Sequence, residues 1–236
     1  MSLALAGCGG GGADQSTTSA RGEGMYLGTL TGTPENAFRL LVLESGEFWA
    51  FVGANRTLDF PPVSFIHGSA VFSNGTITNG TAQDYRKFPV MSGSASGTFD
   101  GRAGTILLTI STAAGKFTFN GSMSSPSEYI YTAPAASKDI EGLWSSTRTT
   151  RGNVYITFNS NGTFAGGAEY LGPFSGTFRP SASGKNIFDI TFSPAAFGRT
   201  TVTSAFAVVT HGADSRATLD MMIDDLPNSW LFSSTR

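Results

Sequence analysis

The chain contains one cysteine, Cys8, and two histidines, His67 and His211, far apart in sequence. One thiol cannot close an intramolecular disulfide, and two distant imidazoles argue against a multi-histidine metal site. Charge is also scarce. Asp, Glu, Lys and Arg make up 14% of the residues and the formal net charge is -2, which leaves no electrostatic footprint for nucleic acid or for an anionic membrane surface. No apolar run approaches the roughly 20 residues that a bilayer-spanning helix needs. What the chain does have is glycine and phenylalanine: 30 and 19 in 236 residues that are 40% hydrophobic. That is too apolar for disorder, and long enough for one large β domain or two small ones whose core needs no covalent staple.

Signatures of catalysis are absent too. Gly93-Ser94-Ala95-Ser96-Gly97 puts alanine where a nucleophile elbow needs serine, and Gly115-Lys116 lacks the flanking residues of a phosphate loop. Asp214, Asp220, Asp224 and Asp225 form the densest acidic stretch. Without the ligand spacing of a Ca²⁺ loop, they read as a solvated turn ahead of Pro227. Glu44 and Glu47 flank a tight turn, where solvation would keep their pKa values together, and His67 and His211 read as strand-end residues. With no set of nucleophile, base and orienting group, the chain is not expected to be an enzyme, and no cofactor or metal is implied.

From Gly24 onward the hydrophobic period is two. Ile106, Leu108 and Ile110 share a face, as do Phe117 and Phe119; Val154, Ile156 and Phe158; Phe188, Ile190 and Phe192; Val202, Phe206 and Val208; and Ala217, Leu219, Met221 and Ile223. Thr, Ser, Asn and Asp fill the alternate positions, the pattern of antiparallel strands with one dry and one wet face. Turn signals separate the strands at Ser45-Gly46, Asn74-Gly75, Asn79-Gly80, Asp100-Gly101, Asn161-Gly162 and Ser183-Gly184. Those turns also explain most of the Asn-x-Ser/Thr sites.

An internal repeat runs through this pattern. Glu23-Gly24-Met25-Tyr26 matches Glu141-Gly142-Leu143-Trp144, the hairpin at 43–48 matches that at 158–164, and Ser96-Gly97-Thr98-Phe99 recurs as Ser175-Gly176-Thr177-Phe178. The third match is spaced differently in the two halves, so either the first copy holds a long insertion between Phe48 and Ser96 or the match is chance. Thr132 to Ser137 lacks strand patterning and reads as a linker. The expected fold is all-β: two tandem antiparallel meander modules, small barrels or sandwiches, at 23–135 and 136–236, after a tether at 1–22. A single barrel with long loops is the competing arrangement.

Leu5-Ala6-Gly7-Cys8 resembles the lipobox of bacterial lipoproteins. The resemblance implies that the Cys8 thiol accepts a diacylglyceryl group, that signal peptidase cuts before it, and that the acylated residue becomes the N-terminus. Stable anchoring takes more than one acyl chain. Gly9, rather than Asp, after the cysteine implies sorting to the outer membrane. Seven residues precede Cys8, too few for a charged region and a full apolar region, so the sequence is expected to begin inside its signal peptide. The Gly, Ser, Thr and Ala of 9–22 read as a flexible tether with a reach of about 20 Å.

Gly142-Leu143-Trp144, followed by an Asn-Gly hairpin and Ser-Gly-Thr-Phe, resembles the opening of lipocalin-like and other calycin barrels, in which the Trp plugs the barrel floor. The first copy, Gly24-Met25-Tyr26, departs from that pattern at the aromatic. The Gly-Thr-Phe segments and 115–121 are also similar to barrel modules of Gram-negative surface lipoproteins. These resemblances imply an architecture and no ligand site.

One stretch breaks the alternation. In Glu47-Phe48-Trp49-Ala50-Phe51-Val52 both faces are apolar, so the strand must meet something on its second face. That could be the other module or the Phe60-Pro61-Pro62 loop. Alternatively, Trp49 and Phe51, with Tyr26, Tyr85 and Trp144 as further candidates, form a binding patch. The expected function is a lipid-anchored, noncovalent binding module of the bacterial envelope, for a small apolar ligand or a partner protein. The alternative is a structural or assembly lipoprotein of the outer membrane with solid barrels.

Overall fold

The computed structural model describes residues 22–53, 64–86, 89–149, 152–170, 172–193, 203–212, 215–223 and 230–236. The fold is all-β, with two tandem antiparallel sheets of eight strands each. The first contains β1 (Gly24–Thr31), β2 (Ala37–Val42), β3 (Glu47–Gly53), β4 (Ser64–Ser73), β5 (Thr76–Asp84), β6 (Met91–Asp100), β7 (Thr105–Thr112) and β8 (Gly115–Met123). A short helix, α1 (Ser137–Ile140), leads into β9 (Gly142–Thr149), β10 (Gly152–Phe158), β11 (Thr163–Ala168) and β12 (Gly172–Pro180). The second sheet continues with β13 (Phe188–Phe192), β14 (Thr203–His211), β15 (Ala217–Ile223) and β16 (Trp230–Thr235).

Each strand pairs with its sequence neighbour, and β1 also pairs with β8, from Tyr26 opposite Met123 to Thr31 opposite Thr118. The first sheet is therefore a closed barrel. Its turns at one end share a device. Gly46, Gly75 and Gly104 have φ of +83°, +76° and +65°. Their carbonyls accept the N–H groups of Ala70, Phe99 and Met123 at 2.9, 3.0 and 2.7 Å. Each turn thus reaches past its own hairpin to the next strand and staggers the ladder, which closure of a barrel requires. In the second sheet, Gly162 does the same for Phe178 at 2.8 Å. The Ser-Gly-Thr-Phe match is explained by this shared turn-to-strand contact. It falls on the sixth strand of one sheet and the fourth of the other, and both sheets have eight strands, so no long insertion separates the copies. Asn79-Gly80 is a correction of another kind. It lies inside β5 at a shift of register, with Asn79 at φ +52°.

The composition follows from the interiors. Phe48 and Phe164 point inward, and each ring rests on a glycine directly across the ladder: Phe48 on Gly68, Phe164 on Gly176. Phe174 uses Gly166 in the same way. A missing Cβ gives the ring its space, so large and small residues alternate around a narrow interior. Tyr26, Phe38, Phe48, Ile66, Leu108 and Phe119 belong to the first core; Trp144, Ile156, Phe164, Phe192, Met221 and Phe232 belong to the second.

The expected wet faces fail where the sheets meet. Every residue of β2 is buried, and so are β3 after Glu47 and β15 after Ala217. Phe206 and Val208 of β14 turn away from their own core and join clusters with residues of the first sheet. The segment between the sheets is part of this junction, because Tyr129 and Tyr131 are buried in it beside Met25, Leu41, Ile187 and Val208. Backbone bonds fix it on both sides: Ser124 N–H donates to Met25 O at 2.8 Å, and His211 N–H to Glu128 O at 2.9 Å.

Candidate functional site

The junction brings Trp49 and Phe51 together, with Phe65 and Met222. Strand alternation sends Phe48, Ala50 and Val52 into the barrel and Trp49 and Phe51 outward, as their pattern requires. The outward side is covered. Trp49 is 3% exposed and Phe51 fully buried. The Phe206 ring meets the Trp49 indole edge-on at 4.8 Å, and His67 stacks on it at 3.7 Å. Glu47 Oε1 accepts the indole N–H at 2.9 Å and lies 3.0 Å from His67 Nε2. His67 is thus a mid-strand residue of β4 rather than a strand-end one, held in a carboxylate–indole–imidazole clamp. His211 does end its strand, β14, and is exposed. Tyr85 stacks on Phe65 at 4.4 Å.

Within the same junction Arg39 of β2 meets Asp220 of β15. Arg39 Nη2 lies 2.9 Å from Asp220 Oδ1 and 2.7 Å from Oδ2, and both side chains are fully buried. The solvated-turn reading fails for Asp220, because strand alternation in β15 points it at the first barrel while Leu219 and Met221 enter the second. Burial pushes its carboxyl above the usual range, opposed by Arg39 and by a hydrogen bond from Ser233. Asp214, Asp224 and Asp225 lie outside the described residues. Glu44 is not a free turn carboxylate either, since Lys185 of the second module pairs with it at 2.9 Å. Beside it, Tyr131 is pushed up to about 12 by burial and by the Glu44 charge. Burial raises Tyr129 as well, and its hydroxyl donates to Asn186 O.

Tyr26 and Trp144 are not part of that junction. They occupy equivalent places at the floors of the two interiors. The Tyr26 hydroxyl donates to Gly22 O at 3.0 Å, and Trp144 Nε1–H donates to Ile140 O at 2.6 Å, each four residues back. Burial and the Glu23 charge push Tyr26 up to about 12. Sequence reasoning missed the partner of Trp144. The Arg236 guanidinium lies over the indole at 4.0 Å and donates to Glu141 O and Asp139 O at 2.5 and 3.3 Å. In the first barrel the methionine at the end of β8, Met123, covers Gly24 as Arg236 covers Gly142. A single basic residue some 90 positions from its aromatic leaves no local signal.

The opposite end of the first barrel holds a cavity of about 170 Å³ lined by Thr33, Glu35, Asp84, Arg86, Lys116 and Phe117, among others. Arg86 fills its inner side. Nε and Nη2 donate to the two oxygens of Asp84 at 2.8 and 2.7 Å, Nη1 donates to Thr33 Oγ1 at 2.9 Å, and the guanidinium covers Phe117 at 3.9 Å. Its charge is spent on the protein, so the group closes the barrel end. Among the described residues, no cluster of three or more His, Cys, Asp or Glu could hold a metal ion. Cys8 lies outside the described residues.

No protein-family model matches the chain, and no curated protein matches it. Among solved structures, it is similar to a Bacteroides fragilis protein named as a "putative outer membrane protein", with 12% identity over 91% of this chain and 97% of that one, at a TM-score of 0.24. A likeness at that score carries no argument about function.

Proposed function

We propose that the protein is a non-enzymatic, lipid-anchored component of the bacterial envelope, held at the outer membrane through Cys8, whose two barrels are solid and serve a structural or assembly role. The observation that carries this reading is the filling of both interiors by aromatic and aliphatic side chains. A barrel of eight strands either packs its interior or keeps room for one small ligand. Here the rings rest on glycines, and Tyr26 and Arg86 close the two ends of the first barrel. Trp49 and Phe51, the candidates for a ligand or partner patch, spend their surface on the contact between modules. The anchor rests on the lipobox-like Leu5-Ala6-Gly7-Cys8.

Two experiments test the two halves of the proposal. With a complete signal peptide in a bacterial host, the wild type should incorporate labelled palmitate and fractionate with membranes, and Cys8→Ser should do neither; a Cys8→Ser variant that stays in the membrane fraction would refute the anchor. Native mass spectrometry with long-chain fatty acids and phospholipids should show no saturable mass increment. A discrete increment abolished by Trp144→Ala would reinstate a ligand carrier.

A further inference from the structure

The two sheets have the same strand count and order, yet they close differently. In the first barrel Leu27 lies opposite Ser122 in a continuous β1–β8 ladder. In the second sheet the equivalent residue by the internal repeat is Ser145, and no ladder joins β9 to β16 among the described residues. A side chain stands between the two backbones instead. Ser145 N–H donates to Ser234 Oγ at 3.1 Å, and Ser234 Oγ–H donates to Ser145 O at 2.6 Å. One hydroxyl therefore satisfies both polar groups of Ser145 where a neighbouring strand would normally do so.

Arg236 is a second fastening. Its backbone pairs with Ala217 of β15 in both directions, at 3.0 and 2.9 Å. Its side chain crosses to the carbonyls of Glu141 and Asp139 and to the face of Trp144. It thus straps the β15–β16 edge to the entry of β9.

We propose that the β9–β16 seam is a lateral latch, held by Ser234 and Arg236, through which the second barrel opens while the first stays shut. The physical ground is the difference in what must break. Parting β1 from β8 breaks a ladder of backbone bonds at once, whereas among the described residues the hydrogen bonds that join the β16 end to β9 and its entry are those of one hydroxyl and one guanidinium, beside the core packing of Trp144 and Phe232. Openings of such local units occur well below the free energy of global unfolding. The open state presents two strand edges with free backbone groups, the feature through which sheets pair with other chains. The latch goes beyond the structural role proposed above and does not depend on the lipid anchor.

Residue-resolved amide hydrogen exchange on the full chain tests it, with the first barrel as an internal reference. The Ser145 amide should exchange at least ~10-fold faster than that of Leu27, while amides of β12 and β13 remain protected. Ser234→Ala and Arg236→Ala should each speed exchange of Ser145 further and leave Leu27 unchanged. Equal protection of Ser145 and Leu27 in the wild type would overturn the latch. So would variants that accelerate both barrels together, because that is global destabilisation rather than a local opening.

Discussion

Arg39 and Asp220 sit where sequence logic places neither of them. A fully buried ion pair gains Coulomb energy but loses the hydration of both partners, so its value lies in the consequence of breaking it. Removing one partner by Arg39→Met or Asp220→Leu strands the other charge, and each single change should cost about 3–5 kcal/mol. The double substitution should be close to neutral or more stable than wild type, because two apolar side chains can fill the same space. Urea unfolding of all four proteins measures this cycle, and a double variant as weak as the singles would refute it. The pH dependence has a definite sign. Burial raises the folded pKa of Asp220 above its ordinary value, so between the two values the folded chain keeps a proton that the unfolded chain has released. Stability then falls as pH rises through that window, a slope that Asp220→Asn should remove.

Among the strands, alternation is followed almost everywhere, and what varies is the layer beyond the second face. β7 and β10 follow the simple case, with Ile106, Leu108 and Ile110, or Val154, Ile156 and Phe158, facing inward and much of the other face exposed. In β2, β3 and β15 the second face meets the other sheet. The inward glycines are as necessary to these strands as the phenylalanines, because a Cβ on Gly68 would lie 2.2 Å from Thr81 O and 2.4 Å from the Phe48 ring, and one on Gly176 would lie 2.1 Å from Thr191 O and 2.6 Å from the Phe164 ring. Each position is overpacked by a single methyl. Gly68→Ala and Gly176→Ala should therefore each lose ~1–3 kcal/mol, although both replace glycine by a residue with less unfolded-state entropy. Thermal or urea unfolding reads the loss directly, and an unchanged midpoint would show that both the rings and the neighbouring backbone have room to move.

For the molecule as a whole, the junction joins two barrels that each have their own core. Buried aromatics, a buried ion pair, the Glu44–Lys185 pair and the packed segment around Tyr129 and Tyr131 cross from one sheet to the other. A contact of this kind couples the barrels thermodynamically. Calorimetry of the wild type should show one cooperative transition. Trp49→Ala removes the indole that Phe206 and His67 pack against; it should cost about 3–5 kcal/mol and separate the melting of the two barrels. Two resolved transitions in the wild type would mean that the junction contributes little.

Local pattern determined the all-β class, the inward faces of most strands, the turns at Gly46, Gly75 and Gly162 and the equivalence of Tyr26 with Trp144, because period-two alternation and positive-φ residues act within a few positions of themselves. The two-sided burial of 48–52 was legible as a demand for a partner; its satisfaction by Phe206 and Met222 was not. Only tertiary structure decided the buried Arg39–Asp220 pair, the Arg236 strap over Trp144 and the different closure of the two barrels. These contacts join residues some 90 to 180 positions apart. A side chain's environment at such separations is set by how whole sheets pack, and no neighbouring residue records it.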